Sequence, residues 1–124
     1  MKVLVVDDSS ITRKIIRAVI DGLQMEMEEA QDGIEALEML SNKYEEIDLV
    51  LLDWNMPEMS GYDVLIEMKS NDNYKDIPVM MVTTEGQKSN IVAAIRAGAA
   101  NYLTKPFTVE ELETKIKECT EEGD

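Results

Sequence analysis

Histidine is absent from the 124 residues. Its absence excludes histidine general-base catalysis, Ser-His-Asp and Cys-His triads, and every zinc site that needs imidazole. There is one cysteine, Cys119, so no internal disulfide can form, and the residue reads as a small hydrophobe. Basic residues are scarce: 12 Lys+Arg against 26 Asp+Glu leave a net charge of −14. A nucleic-acid binder needs a basic face for phosphate contacts, and an anionic membrane surface repels such a chain, so neither nucleic acid nor membrane is an expected partner. No run approaches about 18 consecutive apolar residues, and Met1-Lys2-Val3-Leu4 lacks the length of a signal peptide. A cytoplasmic location is the expectation.

What is present is enough for one core. Hydrophobic residues make up 44% of the chain. At about 150 residues per domain, the chain reads as a single domain over 1–124 with no second, output domain. A domain of this size buries about two-thirds of the surface its unfolded chain exposes. No linker, repeat or low-complexity segment interrupts it, and Thr120-Glu121-Glu122-Gly123-Asp124 reads as a short, solvated acidic end.

Two kinds of segment alternate. Val3-Leu4-Val5-Val6, Leu49-Val50-Leu51-Leu52 and Val79-Met80-Met81-Val82 are short apolar runs, as suits strands covered on both faces of a parallel sheet. Met25-Glu26-Met27-Glu28 alternates apolar and acidic, and Asn101-Tyr102-Leu103-Thr104 is short; both have edge-strand character. Helical patterns fill the gaps. Ile11, Ile15, Ala18 and Val19 share a face, with Gly22 where a left-handed cap would sit. Asp32 with Glu35, and Thr108 with Glu111, have capping-box spacing. They open helices carrying Ile34, Leu37 and Leu40, and Val109, Leu112 and Ile116. Ser60 precedes Val64, Leu65 and Met68; Ile91, Ala94 and Ile95 mark a fourth helix closed by Gly98. The nine methionines fall mostly in these core patterns and read as packing.

The order is β-α repeated five times, which short right-handed crossovers turn into an open α/β sheet with helices on both faces. Placing the two weak strands outside gives the order 2-1-3-4-5. Its switch point lies between strands one and three, where ligands bind beyond the carboxyl ends. Asp7-Asp8 follow strand one, Asp53-Trp54-Asn55-Met56-Pro57 strand three, Thr83-Thr84 strand four and Lys105-Pro106 strand five. Two like charges 4 Å apart repel by about 4 kcal/mol at an effective dielectric of 20, so crowded carboxylates imply a bound cation. Oxygen donors without thiolate or imidazole suit Mg²⁺, with Mn²⁺ as the alternative. A carboxylate, ammonium and hydroxyl set around such an ion fits phosphoryl transfer. Neither a P-loop signature nor a G-x-G-x-x-G fingerprint is present, so ATP is not the expected phosphate source. The remaining option is a carboxylate that takes the phosphoryl group itself, and Asp53 is the central candidate.

At these residues the sequence resembles the receiver domains of two-component response regulators, and among them the single-domain chemotaxis regulators. Val5-Val6-Asp7-Asp8-Ser9-Ser10, Asp53-Trp54-Asn55-Met56-Pro57, Gly61, Thr83-Thr84-Glu85-Gly86 and Lys105-Pro106-Phe107 carry the likeness, which runs from Lys2 to about Cys119. The resemblance implies a flavodoxin-like, doubly wound five-stranded parallel sheet. It also implies a signalling domain rather than an enzyme, with Asp53 as phospho-acceptor from the phosphohistidine of a sensor histidine kinase of the CheA type. Asp8, Asp53 and the main-chain carbonyl of Asn55 would bind Mg²⁺ directly, and Asp7 through a water. Lys105 would pair with the phosphoryl group, Thr83 would move to hydrogen-bond it, Tyr102 would turn inward behind Thr83, and the Lys105-Pro106 bond would be cis.

The resemblance further implies a monomer with slow self-dephosphorylation, open to a dedicated phosphatase, whose output is binding to a flagellar motor switch protein of the FliM type. The surface expected to change is the fourth helix, fifth strand and fifth helix, with Lys88, Ile91, Ala94, Tyr102 and Lys115. A phosphorelay intermediate or a phosphate sink shares this chemistry and stays open. A magnesium-dependent phosphatase working through an aspartyl phosphate is a remote alternative, because Asn55 stands where its second general acid would be. Ser9 after the acid pair leaves the phosphoryl lifetime open.

Overall fold

Apolar runs too short for helices become the centre of a sheet. In the computed structural model, which describes residues 1–120, five parallel strands stand in the order β2-β1-β3-β4-β5. They are β1 (Lys2–Val6), β2 (Glu26–Ala30), β3 (Leu49–Leu52), β4 (Val79–Thr83) and β5 (Asn101–Thr104). Between and after them run α1 (Ser10–Gly22), α2 (Gly33–Lys43), α3 (Gly61–Lys69), α4 (Lys88–Arg96) and α5 (Val109–Thr120). The chain is thus a flavodoxin-like (βα)5 domain, as the alternating pattern and the two weak edge strands predict. Residues 121–124 of the acidic end lie outside the described residues.

Successive strand side chains point to opposite faces, and two cores result. Val3, Val5, Leu49, Leu51, Met80, Val82 and Leu103 pack with Ile16, Val19 and Ile20 of α1 and Leu112 and Ile116 of α5. Leu4, Val6, Val50, Leu52, Val79 and Met81 pack on the other face with Leu40 of α2, Val64, Leu65 and Met68 of α3 and Ala94 of α4. Met68, Met80 and Met81 are fully buried, and Cys119 packs at the margin of the α1/α5 core. Among the described residues, no helix is long and apolar enough to cross a membrane.

Side chains fix most helix starts. Ser9 accepts from the Thr12 amide (3.2 Å), Asp32 from Glu35 (2.8 Å) and Ser60 from Asp63 (3.1 Å). Thr108 and Glu111 form a reciprocal box, each accepting from the other's amide at 3.1 and 2.8 Å. Each such cap contributes about 1 kcal/mol. α4 alone among these helices starts without a side-chain cap, at Gln87.

Several helix faces differ from the apolar pattern. Ile11 and Ile15 are 70% and 50% exposed and Ala18 is exposed, while α1 buries Ile16, Val19 and Ile20. The buried side of α1 also carries Arg13, half-buried against polar partners, and a pattern scored on apolar residues alone passes over it. Ile34, Ile95 and Val109 also face solvent. The left-handed residue after α1 is Gln24 (φ 61°), not Gly22; Gly98 (φ 111°) does close α4.

Candidate functional site

Sheet hydrogen bonding continues one residue beyond the strands and delivers the site. The Asp7 amide donates to Ala30 (3.1 Å), that of Asp53 to Val6 (3.0 Å) and that of Lys105 to Thr83 (2.9 Å). Val6 of β1 is in register with Leu52 of β3, so Asp7 and Asp53 emerge side by side. One carboxylate oxygen each from Asp7, Asp8 and Asp53 lies within 4.8 Å of the others. Asp7 and Asp53 are buried and Asp8 is exposed, which leaves the cluster an open side. The Lys105 Nζ donates to Asp7 Oδ2 at 2.7 Å and to Asp53 Oδ2 at 3.4 Å. Asp7 Oδ1 accepts from the Ser9 amide (2.9 Å), and Asp53 Oδ1 from that of Trp54 (2.8 Å).

One ammonium faces three carboxylates. Burial pushes the Asp53 carboxyl above its ordinary range, and the charge on Asp7 adds to that; Thr83 and Lys105 pull the other way. A cation held between the acids removes this conflict. The three acids offer only oxygen and the chain has no histidine, which fits a hard divalent ion and not zinc or copper.

Thr83 closes the site at the end of β4, fully buried. Its Oγ1 accepts from the Glu85 amide at 3.2 Å. The Glu85 carboxylate accepts from Asn55 Nδ2 (3.1 Å) and Asn90 Nδ2 (3.5 Å), so it joins the loop after β3 to the start of α4. The Tyr102 hydroxyl donates to the Glu85 main-chain oxygen. Tyr102, which the resemblance turns inward behind Thr83, is buried, 9% exposed. Ala94 was expected on the partner surface, but it is fully buried beneath α4 and faces the sheet. Lys88 is exposed, Ile91 and Lys115 are half-buried, and Val92 and Ile95 stand out beside them. The Lys105-Pro106 bond is cis.

Three contributors had no role assigned from the sequence. Glu85 lies within a motif quoted for the resemblance, yet its links to Asn55, Asn90 and Tyr102 depend on tertiary contacts. Tyr62 of α3 stacks on Trp54 with centroids 5.1 Å apart. Arg13 of α1 reaches back to the Asp7 carbonyl at 2.6 Å; no periodicity marks it.

The family model "Response regulator receiver domain" matches residues 3–117. A chemotaxis protein CheY homolog of Campylobacter jejuni is 41% identical over 124 residues, covering 99% of this chain and 95% of that one. The chemotaxis protein CheY1 of Helicobacter pylori is 43% identical over 118 residues, 94% of each chain. Among solved structures, the CheX-CheY-BeF3-Mg complex from Borrelia burgdorferi superposes with a TM-score of 0.90 at 29% identity, covering 94% of this chain and 87% of that one. With the acids at the ends of β1 and β3, the threonine at the end of β4 and the lysine after β5, and a family match over nearly the whole length, the chain belongs to the response-regulator receiver domains.

Proposed function

We propose that the chain is a cytoplasmic response regulator that accepts a phosphoryl group on Asp53 and signals by altered protein binding, in chemotaxis. The observation that carries this reading is the meeting of Asp7, Asp8 and Asp53 within 4.8 Å, with the Lys105 ammonium on two of them. The likeness to chemotaxis regulators over almost the full chain supports the pathway.

The donor is a phosphohistidine of a CheA-type kinase. An Asp53 carboxylate oxygen attacks phosphorus, the P–N bond breaks as the O–P bond forms, and the imidazole leaves with the electron pair and takes up a proton. Asp8 and Asp53, with the Asn55 carbonyl, would hold Mg²⁺, with Asp7 supporting them. When bound, Mg²⁺ would supply positive charge to offset that of the phosphoryl oxygens. Lys105 neutralises the added charge, and Thr83 turns its hydroxyl toward the new acceptors. Movement of Thr83 pulls on the Glu85 amide, and through Glu85 on Asn90 and Tyr102. The uncapped start of α4 makes it the element that yields. The readout is this Glu85 network and α4, to which Tyr102 is tied through the Glu85 main-chain oxygen.

The surface offered to a FliM-type motor switch protein is Lys88, Ile91 and Lys115, with Val92 and Ile95 in place of the buried Ala94 and Tyr102. Amide NMR with acetyl phosphate and MgCl₂ tests this. Shifts are expected from Thr83 through Arg96 and along β5, and none in Asp53→Asn. Shifts confined to Asp7, Asp8 and Asp53 would rule the surface out.

A further inference from the structure

The two acids at the end of β1 are joined by one peptide unit, and that unit is held from outside. The Asp7 carbonyl oxygen accepts from Arg13 Nη1 at 2.6 Å. A peptide is planar, so fixing its oxygen fixes the plane that joins the Asp7 and Asp8 α-carbons. The other side of Asp7 is anchored to β2 through its amide and the Ala30 oxygen (3.1 Å). Arg13 is itself held: its Nε donates to Glu29 Oε1 at 2.9 Å, and Glu29 Oε2 takes Arg17 Nη2 at 2.6 Å. The Arg13 side chain is 16% exposed, against 43% for Arg17, and only Arg13 contacts the acid loop. An ion pair with so exposed a glutamate contributes little to stability. It does order a guanidinium whose fork spans the carboxylate and the carbonyl together.

We propose that Arg13 is a positioning residue for the cation-binding acids, using Glu29 of β2 as its anchor to set the Asp7–Asp8 peptide. This rests on the reading of Asp7, Asp8 and Asp53 as a Mg²⁺ site. Arg13 contacts the Glu29 carboxylate and the Asp7 carbonyl, so it acts through the main chain of Asp7. Outer partners of this kind are worth about 10–100-fold in metal affinity.

The test is a MgCl₂ titration of the full chain followed by fluorescence of Trp54, the single tryptophan, beside Asp53. Arg13→Met keeps the apolar stem and is expected to raise the magnesium Kd by about tenfold, while the metal-free urea midpoint barely moves. Arg13→Lys offers one ammonium in place of the fork and is expected to fall between wild type and Arg13→Met. Arg17→Met loses the same glutamate without touching Asp7 and is expected to bind magnesium like wild type. Arg13→Met binding as wild type does, or Arg17→Met weakening binding as much as Arg13→Met, overturns the proposal. If Arg13→Met fails to fold, Arg13→Lys and Glu29→Gln decide it, both expected to weaken binding in a chain of unchanged urea midpoint. A wild-type chain indifferent to magnesium would instead sink the reading of the site, and this role with it.

Discussion

Gly61→Ala is expected to lower stability by about 3 kcal/mol or more and to open the acid cluster. Gly61 is the first residue of α3, and its amide donates to the Trp54 carbonyl at 2.8 Å. A Cβ built there lies 1.9 Å from the main-chain oxygen of Asp53, 2.8 Å from its carbonyl carbon and 3.1 Å from the Trp54 Cα. All three are backbone atoms, so no side-chain rotation relieves the clash. Either α3 backs away from the sheet, exposing Val64, Leu65 and Met68, or the Asp53 peptide shifts. The first outcome costs core burial and the second displaces the acceptor from Asp7 and Asp8. Urea unfolding and magnesium titration separate them. A variant within about 0.5 kcal/mol of wild type that still binds magnesium normally would show that the close approach is not as described.

Lys105→Met is expected to destabilise the magnesium-free chain by about 3–5 kcal/mol at neutral pH, the usual cost of removing one partner from a buried ion pair. The Asp7 and Asp53 carboxylates are 3% and 9% exposed, and Lys105 is the cation that contacts both. The pH dependence has a definite sign. The Asp53 carboxyl stands above its ordinary range in the folded chain, so its ionised form costs the fold stability at neutral pH. That cost disappears as pH falls through the folded value. Removing the ammonium enlarges it, so the deficit of Lys105→Met is greatest near neutrality and shrinks as the Asp53 carboxylate protonates. Magnesium at about 100 times its Kd returns about 2.7 kcal/mol to any form that binds it. A deficit that is flat from pH 7 to the carboxylate range would remove Lys105 from the acid cluster.

Strands, their order and the site residues were legible because each left a local mark. Continuous apolar runs announce strands buried on both faces, the acidic alternation of β2 announces an edge, and the chemistry-bearing residues directly follow the runs. The caps at Asp32, Ser60 and Thr108 are equally local. The helix faces were so only in part: Val64, Leu65 and Met68 of α3 and Leu112 and Ile116 of α5 are buried as their spacing predicts, but α1 carries two apolar stripes, and Ile11 and Ile15 lie on the one that faces water. The buried stripe was hidden because Arg13 and Arg17 interrupt it, and their partner Glu29 sits on a strand elsewhere in the chain. Ala94 was misplaced for a related reason, since a small residue on a helix suits either face. Glu85 and Tyr62 gain their roles only when β3, β4 and α3 converge, a contact no spacing encodes.

The most direct test is mass spectrometry of the intact chain and its peptides after incubation with acetyl phosphate. With MgCl₂ present, the peptide containing Asp53 should gain a labile adduct of one phosphoryl group. Chelation, or Asp53→Asn, should leave the mass unchanged. An adduct that forms equally without divalent cation, or that maps to a peptide lacking Asp53, would mean that the acids and Lys105 at the strand ends do not form a phosphoryl-accepting site.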